Sequence, residues 1–76
     1  MNILDIQLND KDKAYVSLLE MHLRGFNALL HDMGGTQIDG PFASRELACA
    51  FTRIEEGYYS AREHVFRAAA KRNAVQ

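Results

Sequence analysis

The stretch from Gly34 to Ala43 constrains the fold more than any other, because it alone gathers helix breakers: Gly34-Gly35, Asp39-Gly40 and Pro41. Glycine takes left-handed backbone conformations at little steric cost, and proline lacks the N–H that a continuing helix needs. The chain must therefore turn here. Before the turn, Val16, Leu19, Leu23, Phe26, Leu30 and Met33 follow one another at steps of three and four. After it, Leu47, Phe51, Ile54, Tyr58, Ala61, Val65 and Ala68 do the same. Apolar residues at that spacing line one face of a helix. Two such helices joined by a short turn pack on each other as an antiparallel hairpin, so the fold class is all-α.

Start and stop signals place the boundaries. In Asn9-Asp10-Lys11-Asp12, Asn9 or Asp10 can cap a helix, and Asp12 falls in the first turn, where the helix dipole favours negative charge. Ser44 is the expected cap of the second helix, ahead of Arg45-Glu46 and the apolar run. The sequence thus predicts an arm over 1–9, a helix over 10–33, a turn over 34–43 and a helix over 44–72, with 73–76 frayed. At 1.5 Å per residue the helices measure roughly 33 and 42 Å. Leu4, Ile6 and Leu8 alternate with polar residues, which suits an arm or short helical turn laid on the hairpin or on a neighbouring subunit.

Seventy-six residues make one domain, and a core of that size leaves little surplus stability. Cys49 is the single cysteine, so an intrachain disulfide and a thiolate zinc site are both excluded. Each helix also carries apolar residues beside its seam: Tyr15, Leu18 and Leu29 on the first, Tyr59 and Phe66 on the second. A two-helix hairpin cannot bury both sets. The expected architecture is therefore a helical hairpin with a short N-terminal arm or helix, assembled as a compact homo-oligomer. Nine basic and ten acidic residues give a net charge of −1, which does not favour binding to DNA. No stretch approaches the roughly 20 apolar residues of a membrane span, and no membrane partner is expected. The pattern is that of a soluble intracellular protein.

No enzyme constellation stands out. Nothing here resembles a glycine-rich phosphate loop, a nucleophile elbow or a paired-carboxylate framework. His22, His31 and His64 lack the spacing of a helical metal site, so no metal and no cofactor are expected. Glu63 and Arg67, at i and i+4, read as an ion pair. The second helix carries Arg45, Arg53, Arg62 and Arg67 with Thr52, Tyr58 and Tyr59 among them. Arginine offers a planar fork for phosphate oxygens and tyrosine a flat face for a base. Arg45 adds a position in the first turn, where free N–H groups favour an anion. On the first helix, Tyr15 and Arg24 are the comparable candidates for base stacking and phosphate contact.

The ordered residues Ser44-Arg45-Glu46, Ala48 and Thr52-Arg53-Ile54-Glu55-Glu56 resemble the helix of the phage anti-CBASS and Thoeris anti-defence hairpin family. The match runs from Ser44 to Arg67. Arg53 stands where that family commonly has lysine, Gly57 where it has alanine, and Ser60 where it often has tryptophan. A short all-helical chain is similar to the anti-CBASS branch. The resemblance implies a homo-oligomer, often a hexamer, that captures cyclic di- or trinucleotide immune signals in pockets between protomers, in the host cytoplasm and without cleaving them. It further implies that Arg45 and Arg67 hold ligand phosphates and that Thr52 is the motif threonine. Tyr15 and Arg24 have no counterpart in the motif. The alternative is a structural or adaptor hairpin that mediates protein–protein assembly.

Overall fold

Two helices, α1 over Asp10–Gly34 and α2 over Arg45–Val75, run antiparallel and pack along their length in the computed structural model, which describes residues 7–75. The expectations for residues 1–6 lie outside the described chain; residues 7–9 are neither helix nor strand.

Both starts follow from their capping residues. Asp12 N donates to Asn9 Oδ1 at 2.7 Å, and Asn9 N donates in return to Asp12 Oδ2 at 3.1 Å, a reciprocal capping box. Ser44 Oγ accepts from Leu47 N at 3.2 Å and satisfies one of the free donors of α2. The end of α1 is equally specific. Gly35 sits at φ 68, ψ 30, so that Gly35 N reaches Asp32 O at 3.2 Å and Thr36 N reaches His31 O at 2.9 Å. Only glycine takes that backbone without strain.

The loop then closes over an aromatic stack. Phe42 lies on the buried His31 ring with centroids 4.2 Å apart and planes 15° from parallel, and Phe42 in turn meets Phe51 at 5.5 Å. His31 Nδ1 and Thr36 Oγ1 share a hydrogen bond of 2.8 Å. Gly34 permits the close crossing, since a Cβ there would stand 2.7 Å from the Ala43 Cβ.

At the opposite end, the carboxylate of buried Asp12 is paired with Arg72 of α2. Asn73 Nδ2 donates to Gln7 O at 3.2 Å and to Ala69 O at 2.6 Å. These ties correct the expected end of α2: the helix continues through Val75 rather than fraying from residue 73.

Burial concentrates at the two ends of a rod measuring 51 × 19 × 15 Å. Leu30 and His31 are buried near the loop, and Asp12, Val65 and Ala69 near the termini. Between them the helices meet through half-buried side chains, with one long polar contact from Tyr58 Oη to Glu20 Oε1 at 3.4 Å.

The seams deviate from the expected ones in a systematic way. Phe26 is 41% and Met33 65% exposed, and the inward positions belong instead to Asn27 and Gly34. On α2, Ala69 at 0% exposure replaces Ala68 as the innermost residue of the last turns. An apolar heptad drifts about 20° per repeat on a helix that does not supercoil. The buried line therefore advances by four residues where the heptad advances by three.

Candidate functional site

On α2, Arg45, Thr52 and Arg67 fall within about 60° of one another at 100° per residue, on the side turned away from α1. All three are exposed. They do not gather at one point: Arg45 stands at the loop end and Arg67 about 33 Å further along α2. One small ligand cannot touch both arginines of the same chain.

Their local states also differ. Arg45 is in the first turn, beside the donors that Ser44 leaves open. Thr52 Oγ1 donates to Ala48 O at 3.1 Å, which engages the hydroxyl proton within its own helix and leaves the oxygen able to accept. Arg67 Nη2 donates to Glu63 Oε1 at 2.6 Å, as the i, i+4 spacing predicts. With the two side chains 76% and 60% exposed, solvent screens that pair and it contributes little to stability.

The α1 candidates separate from this side and from each other. Tyr15 and Arg24 are nine residues apart, which turns them to opposite sides of the helix. Tyr15 is 47% exposed, with the Lys11 ammonium 5.8 Å from its ring centroid. Arg24 is exposed on the side that also carries Glu20.

Tyr15 also lines a shallow groove of about 540 Å³ between the helices, together with Leu18, Leu19 and His22 of α1 and Ala61, His64 and Val65 of α2. That His22 and His64 share a groove is not apparent from their spacing in the sequence. It follows once Asp12 opposite Arg72 sets the register, and no sequence signal fixes that pairing. Among the described residues, no three histidine, cysteine or acidic side chains cluster as a metal would require.

Arg62 belongs to the packing. Its guanidinium carbon lies 5.4 Å from the Phe66 ring centroid, which keeps Phe66 half-buried beneath it.

The described chain thus offers exposed phosphate-binding groups along one side of α2 and an apolar groove on another side of the hairpin. No protein-family model matches this sequence, and comparisons with curated proteins and with solved structures return no match.

Proposed function

We propose that this protein is a sponge: it binds cyclic di- or trinucleotide immune signals at the junctions between its own copies and withholds them from their effectors without cleaving them. The observation that carries this reading is the exposed side of α2, where Arg45, Thr52 and Arg67 stand in the order of the resembling motif and make no contact with α1. The distance between the two arginines supports pockets shared between copies, each taking Arg45 from one chain and Arg67 from another. An assembly of several copies, such as a hexamer, would repeat the pocket. A phage protein with this role would work in the host cytoplasm.

Calorimetric titration with a panel of cyclic dinucleotides, cyclic trinucleotides and cyclic ADP-ribose isomers tests the proposal. Binding to at least one is expected, followed by recovery of the intact nucleotide after heat release. Recovery of hydrolysed nucleotide would overturn the mechanism. Arg45→Ala and Arg67→Ala should each weaken binding by about 1–3 kcal/mol, the worth of a charge-assisted hydrogen bond. Unchanged affinity in both would remove these residues from the pocket.

A second reading, an adaptor hairpin that only assembles with proteins, is favoured by the apolar surface of α1. Its signature is an assembled protein that binds nothing in the panel.

A further inference from the structure

The helices differ in what they show to solvent. Of the large hydrophobic side chains exposed in the described chain, Tyr15, Leu18, Met21, Phe26, Leu29 and Met33 are on α1, against Ile38 in the loop and Tyr59 on α2. They are not scattered. Tyr15, Leu18, Leu29 and Met33 lie on one line of steps of three and four that also passes through His22 and Gly25, so a second stripe, mostly apolar, runs the length of α1 outside the hairpin seam. Between Ala14 and His31 the only charged residues are Glu20 and Arg24, and the helical repeat turns both to the far side from this stripe. An ordinary solvent-facing helix carries charge there. Gly25 lies at the middle of the stripe, where a Cβ would meet nothing within 4 Å, so another backbone can approach closely.

We propose that a second copy of this chain docks on the stripe, α1 against α1. Two quantities favour that occupant. Counting Met21 and Phe26 on either flank of the stripe, the six exposed large side chains of α1 are 41–65% exposed and leave on the order of 600 Å² of apolar surface. That is most of the about 800 Å² that each partner contributes to a stable interface. The hairpin also needs the cover, because among the described residues the buried hydrophobic ones are Leu30, Val65 and Ala69, and no large side chain is fully buried. A symmetric contact repairs the same deficit in both copies at once. The groove lined by Tyr15, Leu18 and His22 extends this surface toward α2. The inference does not depend on the nucleotide reading, and its test does not use a ligand.

Sedimentation velocity on the full chain gives the first measurement, and disulfide trapping gives the second. In a Cys49→Ser background, Leu18→Cys, His22→Cys and Leu29→Cys are compared with Arg53→Cys and Ser60→Cys on the outer side of α2. The expected result is a mass that is a multiple of 8.6 kDa, with oxidised dimers forming several-fold faster from the α1 cysteines. Two results would overturn the proposal. One is a single-chain mass at about 50 μM, a concentration well above the dissociation constant of a standard-sized interface, which would leave the stripe to a different partner. The other is an assembled protein that cross-links only through α2. Because trapping uses single cysteine substitutions at exposed positions of the assembled chain, it avoids the ambiguity of a charged substitution that unfolds the hairpin.

Discussion

A Cβ added at Gly34 would stand 2.7 Å from the Ala43 Cβ and 3.1 Å from Leu47 Cδ1, whereas one added at Gly57 meets nothing within 4 Å. The two glycines should therefore respond to the same substitution with opposite signs. Gly34→Ala is expected to lower stability by about 1–2 kcal/mol, the overpacking cost less the helix-propensity gain. Gly57→Ala keeps only the gain, roughly 0.5–1 kcal/mol. Urea unfolding midpoints of both variants would show this, and a stabilising Gly34→Ala would mean that the helices do not cross so closely. The exposed arginines obey a third rule. Arg45→Ala and Arg67→Ala should leave stability within about 0.5 kcal/mol of wild type, so any loss of ligand binding is attributable to the site.

At the scale of the elements, the open end of the hairpin hangs on one carboxylate. Asp12 completes the cap of α1 and pairs with Arg72 of α2 while 5% exposed. Removing it leaves a cap donor and a guanidinium without their partner, so Asp12→Ala should cost about 2–4 kcal/mol. Asp12→Asn keeps an acceptor and should cost less. Equal thermal melting of the two variants would show that Arg72 contributes the whole effect. Element type and position were largely legible: Asn9, Ser44 and Gly34-Gly35 mark helix ends by local chemistry that acts within a few residues. The facing residues were legible only in part. Phe26 and Met33 belong to the heptad but not to the interface, because the actual helical repeat accumulates an angle that short-range spacing does not reveal. The grouping of Arg45, Thr52 and Arg67 on one side followed from periodicity. The groove joining His22 to His64 depends on how two distant segments register, which no local pattern encodes.

Taken whole, the molecule divides its surfaces: apolar along the outer side of α1, charged along the outer side of α2. If copies meet through α1, the arginines of α2 lie outside that contact, so pockets shared between copies require a second junction along the outer side of α2. Burial at the two ends has a different consequence. Protection of backbone amides follows buried contacts, and helices of this kind ordinarily exchange fastest at their termini. Here the first turns of α1 and the last of α2 are tied together, as is the loop, while the span around residues 19–27 and 50–61 lacks any buried side chain. Among the hydrogen-bonded amides, exchange should therefore be inverted in dilute solution, fast at mid-length and slow toward both ends. That slack span underlies Leu18, Gly25 and Leu29. Raising the protein concentration should slow exchange there first, turning the least protected part of each chain into a direct gauge of how many copies have met.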